Sequence, residues 1–208
     1  MLRAATPTHR RIPLSSERIE LDLLTAVDVP AFVAYRRDPN VARYQSWDVD
    51  YDEQRAHRLV SAQESLSDGD GLPPAGEWVQ LAVRDRQSRE LLGDVAVHRL
   101  DEQPDTYEIG FTLAPAAQGQ GFAPEAVRLV LDHLFTSAGA HRVTASCDAR
   151  NEPSRRVLAR VGFHQEARHV DADFFKGEWT TLDEFALLAS EYETISAVNG
   201  SRISAGRR

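Results

Sequence analysis

A glycine-rich turn that leads into a long apolar helix is the part of this sequence best suited to bind a phosphate. Residues 113–124 read Leu-Ala-Pro-Ala-Ala-Gln-Gly-Gln-Gly-Phe-Ala-Pro. Gly119 and Gly121 leave backbone N–H groups uncovered, and the first turn of a helix adds unpaired N–H groups with a partial positive charge. Together these groups bind an anion without Lys or Arg. A glycine turn without a ligand is the alternative, and a short glycine motif alone does not decide between the two.

Two common phosphate motifs are excluded at this turn. A Walker loop ends in Gly-Lys-Ser or Gly-Lys-Thr, and residues 113–124 contain no lysine. The dinucleotide fingerprint requires a third glycine at the position of Pro124. Pro124 instead suits the first turn of a helix, where the N–H that proline lacks is not needed.

No residue pattern indicates a metal site. The seven histidines form no His-Glu-x-x-His motif, and Cys147 is the only cysteine. A catalytic thiol requires a paired histidine and a matching motif, so we interpret Cys147 as a small buried apolar side chain. We expect no metal.

The charge distribution restricts the possible partners. The 208 residues carry 24 basic and 32 acidic side chains, a net charge of −8. Residues 1–18 and 196–208 each carry a net +3, so the segment between them carries −14. An acidic body is unsuited to following nucleic-acid phosphates and favours cationic partners. We therefore expect no nucleic-acid partner.

The sequence also indicates a compartment. A lone cysteine forms no internal disulfide and is typical of a reducing environment. No apolar run is long enough to cross a membrane, and the N-terminus lacks the apolar region of a secretory signal. We expect a cytoplasmic protein with no membrane partner.

Hydrophobic periodicity predicts the elements that position the glycine turn. Strands are predicted at 19–24, 78–84, 90–98, 106–113, 142–147, 163–174 and 179–188, and helices from about 28 to 38, 50 to 66, 124 to 137 and 151 to 161. Residues 67–76 are predicted to form a loop. Short connections between the strands in 78–113 imply an antiparallel meander. The strand–helix–strand unit in 106–147 should cross over right-handedly, which makes its two strands parallel and places the turn at a strand's carboxyl end.

This order of elements predicts an α+β fold. We expect a single domain at 19–194, with a mixed, mostly antiparallel sheet of about seven strands and flanking helices. Residues 1–18 are predicted to be an N-terminal leader, and the Ser-, Gly- and Arg-rich residues 195–208 a disordered tail.

The glycine turn also resembles the acetyl-CoA signature of the GCN5-related N-acetyltransferase (GNAT) family. Gln118, Gly121 and Ala123 fit its pattern Gln/Arg-x-x-Gly-x-Gly/Ala. The strand at 107–113 and the segment 151–163 are similar to the family's flanking elements. Four further parts of the sequence resemble the RimJ/RimL-like branch of ribosomal-protein N-terminal acetyltransferases. They are residues 38–44, Trp47, residues 177–179 and residues 185–188. The resemblance covers about residues 19–192.

The resemblance implies that acetyl-CoA is the cosubstrate. In this family the CoA pyrophosphate lies on backbone amides of the signature, and the pantetheine arm pairs with the preceding strand. A splayed strand edge offers unpaired backbone groups to such an amide-bearing ligand. The corresponding residues here are Phe111, Thr112, Leu113, Gln118, Gly119, Gln120, Gly121, Phe122 and Ala123.

Further cofactor contacts are implied on the following helices. Asn151 resembles a family asparagine that contacts the cofactor arm, although Asn is also a common helix N-cap, with Ser154 at N3. Arg128, Arg155, Arg156 and Arg160 are candidates for the 3′-phosphate; solvated helix-face charges are the alternative.

The implied reaction is direct attack of a neutral amine on the acetyl carbonyl. It requires a base, a donor to the developing oxyanion and a proton for the departing thiolate. Ser154 stands where RimL-like members protonate the CoA sulfur. Glu108 is the general-base candidate, directly or through water, with a structural hydrogen bond or salt bridge as the alternative. A backbone N–H near Phe111 or Thr112 would be the oxyanion donor.

The substrate is expected to carry an amine. The first helices and the last hairpin form the substrate wall of this family. Trp47 and Asp48 are the substrate candidates, because an aromatic ring and a carboxylate attract a cationic amine. Asp50, Asp52 and Glu53 are interpreted as helix-capping residues.

Three functional hypotheses follow. The first is an N-acetyltransferase acting on a protein N-terminus or a small cationic amine. The second is a resistance-type acetyltransferase for an aminoglycoside or polyamine, and the third is a non-catalytic acetyl-CoA-binding module. Glu108, Asn151 and Ser154 together argue against the third. Many relatives dimerise, so a homodimer is a possible assembly that the sequence does not decide.

Overall fold

One sheet organises the fold. A computed structural model describes residues 12–64 and 72–195. The strands in these residues are β1 (Leu14–Ser15), β2 (Ile19–Leu23), β3 (Trp78–Asp85), β4 (Leu91–Arg99), β5 (Thr106–Leu113), β6 (Arg142–Asp148), β7 (His164–Phe175) and β8 (Glu178–Leu188). Their spatial order is β1-β2-β3-β4-β5-β6-β8-β7. All neighbours are antiparallel except β5 and β6, which are parallel as the crossover rule predicted.

Helices cover both faces of the sheet. They are α1 (Val29–Arg36), α2 (Pro39–Ala42), α3 (Glu53–Glu64), α4 (Phe122–Thr136) and α5 (Glu152–Val161), with 3₁₀ turns at Ala26–Asp28 and Pro115–Ala117. Residues 189–195 are also helical. One core lies under α4 and α5, where Val127, Leu131 and Leu158 are buried. A second lies under α1 and α3, around Phe32 and Val60. The predicted α+β fold with a mixed, mostly antiparallel sheet is confirmed.

The segment after α1 differs from the prediction. Asp38-Pro39-Asn40 was expected only to end a helix, but α1 ends at Arg36 and α2 begins at Pro39. The Asp38 carboxylate accepts hydrogen bonds from the backbone N–H groups of Asn40 (2.8 Å) and Val41 (3.3 Å). Asp followed by Pro is an N-cap followed by a favoured first helical residue, so the same residues end one helix and begin another.

The eighth strand lies in the segment assigned to the leader. Leu14 and Ser15 pair with Leu21 and Glu20 of β2, and Leu14 is fully buried. Two residues are too short to show strand alternation, so hydrophobic periodicity could not reveal β1.

Some predictions lie outside the described residues. They concern most of the leader (residues 1–11), the expected end of α3 and the start of the following loop (65–71), and the tail beyond residue 195. The domain boundaries at 19 and 194 stay predictions.

Candidate active site

The parallel strands β5 and β6 separate and open a cleft. Their pairing runs from Thr106↔Arg142 to Glu108↔Thr144 and stops there, although β5 continues to Leu113 and β6 to Asp148. Beyond Glu108, the described residues offer no strand to the β6-facing edge of β5. A cavity of about 800 Å³ occupies this cleft. Its size is in the range of small-molecule and cofactor sites.

The cavity is bounded by four segments. Phe111, Thr112 and Leu113 supply the free edge of β5, so an amide-bearing ligand can pair there like an added strand. The other lining residues include Gln118, Gly119, Gly121, Phe122 and Ala123 of the turn and α4, Asn151, Ser154, Arg156 and Arg160 of α5, and Asn40, Val41, Tyr44 and Gln45 of α2 and the segment after it. We call residues 39–48 the α2 wall and residues 114–121 the glycine turn.

The glycine turn presents an open helix start to the cavity. Gly119 has φ +73° and Gly121 has φ +81°, conformations in which residues with a side chain are strained. Gly121 is the N-cap of α4 and provides no side-chain cap, so the first N–H groups of this 15-residue helix remain available to an anion. α4 begins at Phe122, two residues before the predicted start, because the left-handed Gly121 already closes the turn.

Side chains hold the glycine turn in shape. The Gln118 amide donates to the Leu113 carbonyl at 3.0 Å, which ties the turn to the end of β5. The Gln120 amide donates to the Ala116 carbonyl at 2.6 Å, and Gln120 does not line the cavity. The two glutamines of the predicted cofactor set therefore differ: Gln118 is among the residues that line the cavity and Gln120 is not.

Arg18 braces the same turn from outside, and sequence reasoning missed it. Its guanidinium donates to the Gln120 carbonyl at 3.1 Å, pairs with Glu125 and lies 4.6 Å from the centre of the Phe122 ring. The Ser16 hydroxyl donates to Glu125 at 2.6 Å. Glu125 in the first turn of a helix was a detectable signal, but its partners lie more than 100 residues away in the chain, where no local pattern indicates them.

The start of α5 shows that Asn151 is a cap. Its side-chain oxygen accepts from the Ser154 N–H at 3.3 Å, which is the N-capping alternative considered for this residue. Asn151 also lines the cavity, so its predicted cofactor contact stays a prediction. The Ser154 hydroxyl lines the cavity too, and it has no hydrogen-bond partner within the described part of the chain.

Glu108 lies beside the cavity rather than in its lining. It is on the opposite face of β5 from Tyr107 and Ile109, which pack under α4, and it shares its face with Gly110. A Cβ built on Gly110 would contact only the Ala96 Cβ, at 3.9 Å, so the space above Gly110 is open. The carboxylate is about one-third exposed. An acceptor reaching β5 from this face would pass Glu108.

His98 accompanies Glu108. The two residues are direct neighbours across β4 and β5, with 3.8 Å between His98 Nδ1 and Glu108 Oε2. The imidazole stacks on Trp78, with ring centres 4.6 Å apart. His98 Nδ1 is buried and makes no hydrogen bond to the described residues. Sequence reasoning did not single out His98, because its relation to Glu108 depends on strand register.

The α2 wall places Trp47 and Asp48 behind the cavity. The Trp47 indole donates to the Arg36 carbonyl at 3.2 Å, and the Arg36 guanidinium lies 3.7 Å from the Trp47 ring centre. Asp48 pairs with Lys176 at 2.8 Å. Neither predicted substrate residue lines the cavity; Asn40, Val41, Tyr44 and Gln45 do.

The neighbouring carboxylates are also occupied. Asp52 accepts from the Arg55 N–H at 2.7 Å, which is the expected capping role, whereas Asp50 lies 3.3 Å from the Arg55 guanidinium. The cavity lining contains no Asp or Glu, and its charged residues are Arg156 and Arg160. The substrate roles of Trp47 and Asp48 stay predictions.

A buried ion pair anchors the α2 wall to the sheet. Arg36 lies 3.3 Å from Asp94 on β4, and Tyr35 donates a hydrogen bond to the same carboxylate. Asp94 is 2% exposed, and burial raises its pKa although Arg36 opposes the shift. Arg36 is also covered by the rings of Phe32 and Trp47. This cluster joins the wall to the strand next to β5.

The remaining arginine candidates divide into two groups. Arg156 and Arg160 line the cavity, whereas Arg155 pairs with Glu152 at 2.6 Å and lies 3.0 Å from Asp183. Arg128 donates to the Arg160 carbonyl at 3.0 Å and thereby ties α4 to α5. Arg156, whose guanidinium lies 4.0 Å from the Glu152 carboxylate, and Arg160 are the cations in the cavity lining.

A metal site, a nucleophilic cysteine and a membrane span have little support in the described residues. Across residues 12–64 and 72–195, no three His, Cys, Asp or Glu side chains are grouped as metal ligands. Burial raises the pKa of Cys147 to about 11, so its thiol is a poor nucleophile at neutral pH. In the same residues no helix is long and apolar enough to span a membrane.

Comparisons with known proteins agree with the geometry of this site. The family described as acetyltransferase (GNAT) domain matches residues 18–164. A Bacillus licheniformis relative named uncharacterized N-acetyltransferase p20 is 27% identical over 86% of this chain and 97% of the relative. The ribosomal-protein-serine acetyltransferase of Escherichia coli is 29% identical over 47% of this chain and 54% of the relative.

Solved structures share the fold. The crystal structure of spermidine N-acetyltransferase from Vibrio cholerae in complex with CoA and spermine has a TM-score of 0.72 at 20% identity, covering 85% of this chain and 99% of that chain. The divided strands β5 and β6, the open helix start between them and the family match over most of the chain lead to one conclusion. The chain belongs to the GNAT acetyltransferase family and is an N-acetyltransferase.

Proposed function

We propose that this enzyme transfers the acetyl group of acetyl-CoA directly to the primary amine at the N-terminus of a polypeptide. The observation that carries the proposal is the continuous cavity, which joins the free edge of β5, the open start of α4 and the α2 wall. Both reactants can therefore meet in one site without a covalent enzyme intermediate.

The β5 side of the cavity fits acetyl-CoA. The backbone of Phe111, Thr112 and Leu113 offers hydrogen-bonding groups to the amides of the pantetheine arm. The N–H groups after Gly121 face the pyrophosphate, and Arg156 and Arg160 supply positive charge. Backbone amides and two arginines thus accommodate a polyanion in a protein of net charge −8.

The residues around the divided strands have complementary tasks in the transfer. Glu108 accepts the proton of the attacking amine, directly or through a water. A backbone N–H near Phe111 or Thr112 stabilises the negative charge that develops on the carbonyl oxygen. The Ser154 hydroxyl donates to the departing sulfur. Serine is a weak acid, so we assign it hydrogen bonding more than full proton transfer.

The acceptor side of the cavity favours a peptide over a polyamine. A polycation requires several carboxylates, and the residues that line the cavity include none. Asp48, the carboxylate at the end of the α2 wall, is paired with Lys176. Asn40, Tyr44 and Gln45 instead offer amide and phenol groups, which suit the backbone of an extended peptide.

Release of CoA thiol from acetyl-CoA tests the function. The purified enzyme is assayed with peptides that have a free N-terminus, the same peptides N-acetylated, polyamines and aminoglycosides. We expect stimulation by free peptides, no stimulation by the acetylated ones, and little by spermidine. A preference for spermidine or an aminoglycoside would replace the acceptor class, and tight acetyl-CoA binding without release by any amine would indicate a non-catalytic binding module.

A further inference from the structure

Lys176, the single lysine of the chain, connects the β7–β8 hairpin to the α2 wall. It occupies the tight turn of the hairpin with Gly177, at φ +50° and +86°. Its ammonium donates to the carbonyl oxygens of Ala42 and Trp47, both at 2.7 Å, and lies 2.8 Å from the Asp48 carboxylate. Three acceptors thus use all three N–H bonds of the ammonium, and they lie about 130 residues away in the chain.

The segment held by these contacts has little stability of its own. α2 contains four residues, too few for a stable isolated helix. The α2 wall lines the cavity through Asn40, Val41, Tyr44 and Gln45, and it carries the Ala42 and Trp47 carbonyls that Lys176 binds. Near the end of the wall, the Trp47 indole donates a hydrogen bond to the Arg36 carbonyl of α1. The position of the wall therefore depends on contacts with other elements.

An ammonium group suits this position better than a guanidinium. Two carbonyls and one carboxylate converge on a single nitrogen, and lysine presents three N–H donors around one atom. Arginine distributes its donors over a planar fork, and none of its nitrogens carries three N–H bonds, so it cannot donate to all three acceptors from one atom. The only position at which this chain uses lysine is one where the geometry requires it.

We propose that Lys176 is a positioning residue that sets the place of the α2 wall and thereby determines how the enzyme binds its amine acceptor. It acts through Ala42, Trp47 and Asp48 and touches neither reactant. The proposal rests on the proposed function, because it assigns the α2 wall to the acceptor.

Steady-state kinetics and hydrogen exchange test the proposal on the full chain. Lys176→Met keeps the side-chain length and removes all three donors, and Lys176→Arg keeps the charge. Asp48→Asn removes the charge from one acceptor of the Lys176 ammonium. It replaces Lys176→Met in the test if that variant does not fold. Arg58→Met is the matched control, because Arg58 is an exposed cation on α3 with no ion pair among the described residues.

We expect Lys176→Met to raise the KM for the acceptor peptide at least tenfold while the KM for acetyl-CoA stays within twofold. Lys176→Arg should recover only part of the loss, Asp48→Asn should show a smaller rise, and Arg58→Met should equal the wild type. Amide exchange should accelerate in residues 40–48 and remain unchanged in residues 115–125. An unchanged acceptor KM in folded Lys176→Met, or an equal rise in both KM values, would overturn the proposal.

Failure of the proposed function gives a different result. If none of the amines stimulates thiol release by the wild type, the proposed function is wrong. Faster exchange of residues 40–48 in Lys176→Met would then still support its role in holding the wall. Unchanged exchange there would reject that role as well.

Discussion

The two sides of the active-site cavity are built in different ways. The β5 side uses backbone groups of residues that are neighbours in the chain, from Phe111 to the start of α4. The α2 wall is held by side chains from distant elements, namely the Arg36–Asp94 pair and Lys176. In the proposed function, cofactor binding would therefore depend mainly on backbone conformation, whereas acceptor binding would depend on long-range polar contacts. Substitutions can change the acceptor without disturbing the glycine turn.

The largest effect is expected when the buried anchor of the α2 wall is removed. Asp94→Ala leaves the Arg36 guanidinium buried without its carboxylate, which should lower the free energy of unfolding by about 3–5 kcal/mol. Urea denaturation measures this loss. Arg36→Met/Asp94→Leu, which removes both charges, should recover part of it. A loss below 1 kcal/mol in Asp94→Ala would mean that the pair does not hold the wall.

The next effect concerns the chemistry between the two sides. Glu108→Gln should lower kcat about 100-fold, because a general base typically contributes 10²–10⁴-fold. The affinity for acetyl-CoA, measured by calorimetry, should not change, since Glu108 lies outside the cavity lining. Glu90→Gln, at an exposed site before β4, is the control. If kcat is unchanged, Glu108 has only the structural role considered above.

Acid should weaken the hairpin that carries Lys176. Asp183 on β8 is fully buried and accepts from the Arg168 guanidinium at 2.6 and 2.8 Å, and these hydrogen bonds hold its pKa below the usual value. A carboxylate with a lowered folded-state pKa stabilises the fold above its unfolded pKa of about 3.9, and this contribution disappears as the pH falls through the folded pKa.

Replacement of Asp183 should therefore change both stability and its pH dependence. Asp183→Asn should lose about 1.5–3 kcal/mol at pH 7 and show a shallower decline below pH ~4 than the wild type. Urea unfolding between pH 7 and 2.5 checks this, with Asp101→Asn as the exposed control. Parallel pH profiles for Asp183→Asn and the wild type would contradict the assignment.

Replacement of Ser154 tests the chemistry that is proposed for the cofactor side of the cavity. Ser154→Ala should lower kcat about tenfold, the effect of one hydrogen bond of about 1.4 kcal/mol lost in the transition state. The acceptor KM should not change, because the proposed partner of the hydroxyl is the CoA sulfur and not the acceptor. Ser61→Ala on α3 is the control. A rise in the acceptor KM without a fall in kcat would place Ser154 on the acceptor side instead.

Alanine substitution at two matched glycines, one in the glycine turn and one beside Lys176, should have the smallest effects. It tests the comparison of the two sides of the cavity most directly. Gly119 and Gly177 both have positive φ, and no atom lies within 4 Å of a Cβ built on either. Alanine at each should therefore cost about 1 kcal/mol of backbone strain without a clash. We expect Gly119→Ala to raise the KM for acetyl-CoA a few-fold, and Gly177→Ala to raise only the KM for the acceptor. The same effect of both variants on both constants would show that the two sides are not independent.

The elements of the fold were largely predictable, and the errors have local causes. β5, α4 and β6 carry clear periodicity and turn signals, and their parallel arrangement follows from the crossover rule. α2 was missed because Asp38-Pro39 ends one helix and begins the next. β1 was missed because it contains two residues.

The residues of the candidate site were predictable where local sequence signals mark them, and not where contacts between elements decide their position. Gly119, Gly121, Asn151 and Ser154 lie at element ends that the sequence marks, and the structure brings them to one cavity with the exposed edge of β5. Trp47 and Asp48 were selected by residue type; they have Arg36 and Lys176 as partners and are not among the lining residues, and their substrate role stays a prediction. Residue type alone cannot tell an unpaired side chain from one whose charge or ring is already occupied.

The sequence by itself determined the order of the longer elements, the open helix start and its family signature. These features arise from interactions within a few residues along the chain, where glycine conformation and unpaired N–H groups act locally. Only the tertiary structure decided that Arg18 braces the turn, that His98 stands beside Glu108 and that Lys176 holds the α2 wall. Those contacts join residues from different elements, and strand register and helix packing select them among many sterically possible partners.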